Sequence, residues 1–422
     1  MKHFSALRTY TALDYLCIDI ANNVGKQGDF LGDKDTFENR IQWVKQNVNN
    51  LPDFYDKAED KYQYLKAVMA LADVLAGKPT GHTVALDAIC SGISIMSAIT
   101  GCLKGCKATG LVATGYRPDA YTAVTDAMNR MLSKQGIQTS ISRKTAKDAV
   151  MQSSYGSTRK PKETFGENTP ELRAFEDACM EVAPEAFKLM GVLIDAWNPK
   201  ALEHSWYMPD AFSVKIKVLE QKETKIYIKE LDDACVTMIT KENKPVKRGV
   251  SLAANFTHSI DAYILRSMVR RCSYDVDSIT KVLSVINSEL LAPTSHIAIP
   301  DKMEELLALY DAMNIPDTRI LDYITPATVN AVPKKYLLQL KNTISMMLHH
   351  GSFDILTIHD AFRCAPSNCN AVRYWYAEIL AELADSNILE SIYEQITGTQ
   401  RTFRKAVPNI SSLIRQADYQ LS

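Results

Sequence analysis

The chain has 422 residues, 46% of them hydrophobic and 23% charged, which is long enough to bury a large core and to form two or three subdomains. Its formal net charge of −1 excludes a global basic field, so any binding of nucleic acid must use local patches. The scattered cysteines lack paired zinc spacing, which predicts reduced thiols. The N-terminal residues lack the apolar core of a signal peptide, and no apolar run approaches membrane-spanning length. Together these features predict an intracellular protein with no membrane contact.

The first third of the sequence is predicted to be mainly helical. Apolar residues recur there at helical spacing, and Gly77 and Gly136 are suited to end two of the helices. One short apolar segment, TVALDAI, instead predicts a strand. In chain order, the expected elements are helices over 33–48 and 61–76, a strand within 83–89, and helices over 92–100 and 118–135.

The rest of the sequence is predicted to alternate between helices and a few strands. Helices are expected over 139–155 and 168–197, and again from about 249. Between about 204 and 240, apolar and polar residues alternate, which predicts a small antiparallel sheet or a long hairpin. The segment from Phe353 to Ile358 predicts a strand that is buried on most sides, and a helix begins near residue 370. The expected fold class is α+β, dominated by helices.

Two aspartates far apart in the sequence each follow a short apolar segment. Asp87 ends the strand in TVALDAI, and Asp360 comes directly after FDILTIH. Burying an ionised carboxylate alone is costly, so each should either have a partner or hold a cation. Two strand-end carboxylates suit a site for two magnesium ions, which prefer hard oxygen ligands. The alternative is two unrelated turn or capping residues.

A cationic helix is predicted between these aspartates, in SRKTAKDAVMQSSYGS. Arg143 and Lys147 lie one turn apart on one face, where two cations can bind a polyphosphate. Tyr155 follows, and its ring can pack on a base or a sugar. On its own the cationic pair is typical of a solvated helix face. The order carboxylate, cationic helix with Tyr-Gly, carboxylate is typical of a nucleotidyl transferase.

These segments resemble the motifs of the single-subunit, phage- and mitochondrial-type RNA polymerases. DAICSGI resembles the first catalytic motif, usually Asp-Gly-Ser-Cys-Ser-Gly, and RKTAKDAVMQSSYG is similar to the motif Arg-x3-Lys-x7-Tyr-Gly with every spacing kept. NFTHSIDAYILR resembles the family's Asn-Phe-x-His-Ser-x-Asp segment, and HDAF resembles His-Asp-Ser-Phe. The four motifs occur in the family's order, and the likeness runs from about residue 15 to the C-terminus.

The resemblance implies the palm and fingers of a right-hand polymerase of the family A and phage RNA polymerase type. Residues 1–135 would form the N-terminal part of the palm with the first catalytic motif. Residues 136–250 would form the fingers, and residues 251–422 the C-terminal palm. The resemblance further implies a magnesium-dependent enzyme that copies a DNA template into RNA from ribonucleoside triphosphates.

The resemblance also implies roles for individual residues. Asp87 and Asp360 would hold two magnesium ions, with the backbone carbonyl of Ala88 as a further ligand. Arg143 and Lys147 would bind the triphosphate of the incoming nucleotide. Lys147 could also protonate the departing pyrophosphate.

Further residues are implied to contact the nucleotide and to select its sugar. Tyr155 would lie beside the incoming sugar, with His258 near its hydroxyl, and Lys34 aligns with a family lysine near the phosphates. Family A DNA polymerases carry a glutamate that blocks the ribose 2′-hydroxyl, where this chain has Gly92. A glycine leaves room for that hydroxyl, which favours ribonucleotides.

Two rival functions predict different residues at these positions. A family A-like DNA polymerase predicts a glutamate near Gly92, and none is present. A non-catalytic scaffold derived from a polymerase predicts losses among the catalytic motif residues, and all of them are retained.

Three departures from the family suggest partners. The family's promoter-binding domain, its thumb and an Asp-x-x-Gly-Arg element do not precede residue 16. We therefore expect a second, smaller subunit to supply them, as in split bacteriophage enzymes. The resemblance to those enzymes implies the cytoplasm of an infected bacterium as the location. Residues 210–248 could form the hairpin that reads promoters in relatives, with a basic tip at 241–249. An extra helical segment at about 275–345 is either a surface decoration or a docking surface, for that subunit or for a single-stranded DNA-binding or promoter-recruiting protein.

Overall fold

The structure, a computed structural model, describes residues 7–249, 251–291 and 298–422. Residues 1–6, which contribute to the argument against a signal peptide, and part of the predicted extra segment lie outside the described residues. The helices of the first half are α1 (Ala12–Val24), α2 (Phe37–Asn47), α3 (Lys61–Leu75), α4 (Ser91–Thr100), α5 (Leu103–Ala108), α6 (Ala120–Lys134), α7 (Arg143–Ser153), α8 (Arg159–Phe165), α9 (Pro170–Val182) and α10 (Pro184–Asp195).

The second half contains the remaining helices and most of the strands. Its helices are α11 (Ser251–Cys272), α12 (Val276–Leu291), α13 (Asp301–Met313), α14 (Lys334–His350), α15 (Cys369–Asp385), α16 (Ile388–Thr397) and α17 (Ile410–Ile414). The strands of the whole chain are β1 (Val84–Asp87), β2 (Glu203–Tyr207), β3 (Ser213–Lys217), β4 (Leu219–Ile228), β5 (Ala234–Asn243), β6 (Leu356–Ile358) and β7 (Ala361–Cys364). The prediction of a helix-dominated α+β fold is confirmed.

Local sequence signals explain where the predicted helices begin. The hydroxyl of Thr36 accepts a hydrogen bond from the backbone N–H of Asn39 at the start of α2, and the carboxylate of Asp60 accepts one from Gln63 at the start of α3. These side chains satisfy backbone donors that the first helical turn leaves without partners. The helices expected near 33–48, 61–76, 92–100 and 118–135 are confirmed as α2, α3, α4 and α6.

The main hydrophobic core joins distant parts of the chain. Helix α15 is buried along most of its length and packs against α4, α11 and α17. Its Trp375 and Tyr376 are among the largest buried side chains. Helix α1, nearly 350 residues earlier, contributes Tyr15 and Ile18 to the same core. Residues near both ends of the described chain therefore fix the position of the elements between them.

A three-stranded antiparallel sheet, in the order β1-β7-β6, lies against this core. Strand β7 is central. On one side it pairs with β1, where Phe362 lies opposite Leu86. On the other side, β6 and β7 form a hairpin whose two-residue turn is His359-Asp360, with His359 in the left-handed region at φ 54°. The sheet therefore brings Asp360 next to the end of β1.

The expectation of a buried strand from Phe353 to Ile358 is wrong in extent and in burial. Only residues 356–358 form a strand, and Leu356 and Ile358 are 58% and 57% exposed. The apolar pattern misleads because β6 is an edge strand that pairs with β7 alone. Phe353 and Ile355, by contrast, pack at the margin of the main core.

The alternating segment forms two separate antiparallel ladders, β2 with β3 and β4 with β5. The second is a long exposed hairpin whose turn lies at residues 229–233. The prediction of a basic tip at 241–249 is wrong, because that segment includes the end of β5 and lies at the base of the hairpin. The turn itself carries Glu230, Asp232 and Asp233.

The predicted extra segment contains a second hydrophobic cluster. Side chains of α12, α13 and α14 pack on one another there, including Ile286, Leu306 and Leu340. Buried ion pairs join this cluster to the rest of the chain: Arg270 Nη2 lies 2.9 Å from an oxygen of Asp317. A segment with its own core is more than a loop decoration, but its docking role stays a prediction.

No helix among the described residues combines the length and the apolar character that crossing a bilayer requires.

Candidate functional site

One cleft of about 1030 Å³ brings the predicted site residues together. The cleft is lined by the end of β1, the start of α4, one face of α7, the middle of α11 and the β6–β7 turn. The sequence-predicted residues that line it are Lys34, Asp87, Ala88, Gly92, Arg143, Lys147, Tyr155, His258 and Asp360. Their individual roles stay predictions.

The two predicted metal ligands lie side by side because of strand pairing. Asp87 is opposite Ala361 in the β1–β7 ladder, and Asp360 immediately precedes Ala361. Burial, together with the charge of Asp360, raises the pKa of Asp87 to about 6. On the other edge of β1, the backbone N–H of Ser422 donates to the carbonyl of Asp87 at 3.0 Å, so this residue is held from both sides.

A third carboxylate, Asp261, faces the same cleft from α11. Burial and the charge of Asp360 raise the pKa of Asp261 to about 7. Like charges gathered in a partly buried site repel one another, and this is typical of sites that bind cations.

The donor set fits magnesium. Carboxylate oxygens are the hard ligands that Mg²⁺ prefers, and a divalent cation would relieve the repulsion between Asp87 and Asp360. The carbonyl-bearing residue Ala88 lines the same part of the cleft. In the part of the chain that the structure describes, no group of three or more His, Cys, Asp or Glu side chains is suited to hold a metal. Substrate phosphate and water would therefore have to complete the coordination.

The cationic face of α7 lies along the cleft. The hydroxyl of Ser142 caps this helix by accepting from the backbone N–H of Thr145. The ring of Tyr121, on α6, supports both cations: Arg143 Cζ lies 5.4 Å and Lys147 Nζ 5.9 Å from its centroid. The two cations thus share one aromatic neighbour, while Lys147 stays exposed to solvent.

Arg143 already has a carboxylate partner in this structure. Its Nε donates to Asp119 Oδ2 at 2.6 Å. Burial opposes ionisation of Asp119, but the hydrogen bond and charge of Arg143 outweigh it and lower the pKa of the carboxyl. Asp119 also caps α6 by accepting from the backbone N–H of Tyr121. A triphosphate that binds Arg143 must therefore compete with a fixed carboxylate.

Tyr155 follows the end of α7 and is held by three neighbours. Its hydroxyl lies 2.9 Å from Ser91 Oγ and donates to Asp261 Oδ2 at 3.2 Å. Its ring stacks on that of His258, with centroids 4.5 Å apart and planes 30° apart. Burial lowers the pKa of His258 and, with the charge of His359 adding to the effect, favours a neutral imidazole.

The structure gives Gly92 a packing role besides the predicted sugar role. A Cβ at this position would lie 2.6 Å from Ser154 Oγ and 3.1 Å from the Ser154 carbonyl oxygen. The first turn of α4 can therefore approach the end of α7 only with a glycine there. This contact also positions Tyr155, the next residue along the chain.

Sequence reasoning missed several cleft residues. Asp119 and Tyr121 line the cleft, but their segment, PDAY, was predicted only to be part of a helix. An aspartate just before a predicted helix signals an N-terminal cap, and this signal could have indicated Asp119. Arg117 lines the cleft and donates through Nε to Ser422 Oγ at 3.1 Å, and no local pattern indicates it. Asp261 lies within a family-like motif but had no assigned role. Lys34 reaches the cleft while forming an ion pair with its neighbour Asp33.

Residues 8–165 match the family model described as DNA-dependent RNA polymerase. This match confirms the resemblance to the single-subunit type of RNA polymerase and identifies the chain as a nucleotidyltransferase of that kind. It includes Asp87, Arg143, Lys147 and Tyr155, whereas Asp360 lies beyond it. No curated protein is found to match the chain.

The charge repulsion at Asp87 predicts a stability change in the metal-free protein. A carboxyl whose pKa rises from 3.8 to about 6 on folding contributes stability that is fully present below pH 3.8 and is lost as the pH rises through about 6. Asp87→Asn lacks this loss. In urea unfolding with a chelator, the free energy of unfolding of Asp87→Asn should exceed that of the wild type by about 1 kcal/mol at pH 8, a value reduced for solvent screening. Near pH 4 the two free energies should match.

The matched control is Asp126→Asn, an exposed aspartate on α6. It should leave the free energy of unfolding unchanged at every pH. Equal stability of Asp87→Asn and wild type at pH 8 would contradict the repulsion.

Proposed function

We propose that the chain is the catalytic polypeptide of a bacteriophage-type DNA-directed RNA polymerase, which forms phosphodiester bonds from ribonucleoside triphosphates by a two-magnesium mechanism. One observation carries the proposal: the carboxylates of Asp87 and Asp360 share a single cleft with the cations Arg143 and Lys147. Nucleotidyl transfer needs both features, since the reacting phosphate must be held by cations while its charge is neutralised.

The carboxylate pair is the proposed magnesium site. Asp87 and Asp360, with the carbonyl of Ala88, would hold the ions, which when bound supply positive charge at the attacking and leaving oxygens. The backbone pairing of β1 with β7 brings Asp87 next to the turn that carries Asp360 without any contribution from substrate. Such preorganisation reduces the reorganisation that the reaction requires.

The α7 face is the proposed triphosphate site. The guanidinium of Arg143 can exchange its bond with Asp119 for a two-point contact to phosphate oxygens. Lys147, exposed one turn later, would reach the same triphosphate and would give a proton to the departing pyrophosphate. Lys34, from the segment after α1, and Arg117 add two further cations to the cleft.

Ribonucleotides are the proposed substrates. Gly92 lines the cleft at the start of α4 with no side chain of its own, although Ser154 packs closely against it, and Tyr155 and His258 offer polar groups in the same cleft. A site that hydrogen-bonds a substrate hydroxyl rejects an analogue without that hydroxyl, because its own polar groups would then lose a partner. The family A-like DNA polymerase, which needs a blocking carboxylate near Gly92, is not favoured.

A second, smaller polypeptide is proposed as the partner of this chain. Affinity for nucleic acid comes mainly from neutralising phosphates, and this chain has a net charge of −1. The exposed β4–β5 hairpin does not supply the missing charge, because its turn is acidic. A partner with a basic surface would hold the DNA template and the RNA product, and a single-stranded DNA-binding or promoter-recruiting protein would act at the same step.

Removing one charge from the carboxylate pair should abolish synthesis without unfolding the protein. Asp360→Asn keeps the shape of the side chain but lowers its affinity for a divalent cation, so the rate of magnesium-dependent RNA extension should fall about a thousandfold. Single-nucleotide addition to a preformed RNA primer on a DNA template measures this rate. Near-normal extension by Asp360→Asn, with Asp126→Asn as the unaffected control, would rule out the assignment.

Removing the hydroxyl of Tyr155 should change sugar selection more than catalysis. In Tyr155→Phe the ring can still stack on His258, while the polar contact is lost. The ratio of kcat/KM for ribonucleotides to that for deoxyribonucleotides should fall about tenfold, the size of one hydrogen bond. Addition of each nucleotide class to the same primer gives the ratio, and an unchanged ratio would show that Tyr155 only packs.

The partner proposal predicts weak template binding by the purified chain. Binding to primer–template, measured by fluorescence anisotropy, should be detectable at low salt and should weaken steeply as salt rises to physiological levels. Processive transcription from a duplex promoter by the chain alone, at physiological salt, would contradict the proposal.

A further inference from the structure

Asp261 contacts Tyr155 from a helix that the predicted catalytic roles do not involve. It lies on α11, three residues after His258, so both side chains project from the same face. Asp261 Oδ2 accepts a hydrogen bond from the Tyr155 hydroxyl at 3.2 Å, and Ser91 Oγ lies 2.9 Å from the same hydroxyl. The Tyr155 hydroxyl therefore forms hydrogen bonds with both Ser91, at the start of α4, and Asp261, on α11.

The hydrogen positions in this cluster follow from the chemistry of the groups. A tyrosine hydroxyl has one hydrogen to donate, and an ionised carboxylate can only accept. If Tyr155 donates to Asp261, the short contact to Ser91 requires the Ser91 hydroxyl to donate to Tyr155. The chain of hydrogen bonds then runs in one direction, from Ser91 through Tyr155 to Asp261, and leaves Tyr155 with acceptor capacity only.

This direction matters for a sugar hydroxyl in the cleft. A ribose 2′-hydroxyl can donate to an oxygen that has acceptor capacity, but a deoxyribose has no such group. Without Asp261, the Tyr155 hydrogen could rotate toward the sugar, and the tyrosine would no longer be set as an acceptor. The stack on His258 and the contact with Ser91 would still hold the ring itself.

We propose that Asp261 is a specificity-determining positioning residue: by accepting the Tyr155 hydrogen, it makes the tyrosine hydroxyl a fixed acceptor for the ribose 2′-hydroxyl. The proposal rests on the ribonucleotide-polymerising function proposed above. Asp261 acts through Tyr155 and need not contact the substrate. Its carboxylate lies in the same cleft as the carboxylate pair, but selection depends on its hydrogen bond and not on its charge near the metal site.

The test compares four proteins in single-nucleotide addition at pH 8.5, above the pKa of about 7 of Asp261: the wild type, Asp261→Ala, Tyr155→Phe and the double variant. For Asp261→Ala, which has no acceptor for the Tyr155 hydrogen, kcat/KM for ribonucleotides should fall about tenfold, the size of one hydrogen bond, while kcat/KM for deoxyribonucleotides stays the same. The double variant should select sugars no better and no worse than Tyr155→Phe, because both changes remove one interaction.

Three further proteins separate selection from general damage. Asp261→Asn keeps an oxygen that can accept the Tyr155 hydrogen without the charge, so it should keep most of the wild-type ratio. Asp261→Ser keeps a small polar group that can accept a hydrogen bond only at a longer distance, and should give the reduced ratio if Asp261→Ala does not fold. Asp126→Asn, the exposed aspartate of α6, should keep the wild-type ratio. Thermal unfolding of each variant shows that it is folded under the assay conditions.

The outcomes distinguish this inference from the proposed function. An equal loss of kcat/KM for both nucleotide classes would overturn the inference and leave Asp261 as a structural residue. A ratio in the double variant that falls by the product of the two single effects would also overturn it, because Asp261 would then act independently of Tyr155. All additions are measured at low salt, where the chain alone should bind primer–template; a wild type that binds it there and adds neither nucleotide would overturn the proposed function itself.

Discussion

The antiparallel pairing of β1 with β7 is the constraint on which the site depends, because it sets two like charges next to each other. The register places Asp87 opposite Ala361, and the tight turn before Ala361 presents Asp360. Their backbone positions cannot separate without breaking ladder hydrogen bonds of Asp87 or Ala361. The free-energy cost of holding the two charges together appears as a raised pKa of Asp87. Burial of the large hydrophobic core behind the sheet, centred on α15, offsets this cost. A pair of neighbouring carboxylates of this kind is stable only because the rest of the fold holds it.

The same scaffold connects the carboxylate pair to the nucleotide side of the cleft. Helix α4 begins directly after β1, and its Gly92 allows the end of α7 to approach closely. That contact places Tyr155 between Ser91 and Asp261, so a shift of α7 would change both the phosphate-binding face and the sugar-facing hydroxyl. The proposed metal, phosphate and sugar contacts therefore all depend on the junction of one strand and two helices.

Most of the fold and of the cleft could be predicted from the sequence, and the failures have physical causes. Helices with clear caps and apolar spacing, such as α2 and α3, were predicted because their signals are local. The exposure found within residues 353–358 was not predicted. Whether an apolar strand is covered depends on its place in the sheet, which only tertiary structure decides. The hairpin turn at 229–233 was misplaced because a basic segment resembles a tip when the pairing register is unknown. Arg117 joined the cleft through long-range packing that no motif records.

The charges of the cleft are arranged in pairs that a nucleotide must exchange. Arg143 is bonded to Asp119 and Lys34 to Asp33, while the charge of Asp360 adds to burial in raising the pKa of Asp87. A triphosphate accompanied by divalent cations answers both conditions at once, since its phosphates can replace the carboxylates at the basic side chains and its cations can neutralise the carboxylate pair. A bare triphosphate would satisfy only the basic side chains and would bring more negative charge toward the carboxylates. The electrostatics of the cleft therefore favour the metal-bound form of the substrate over the free anion, and this preference follows from the protein's own charges.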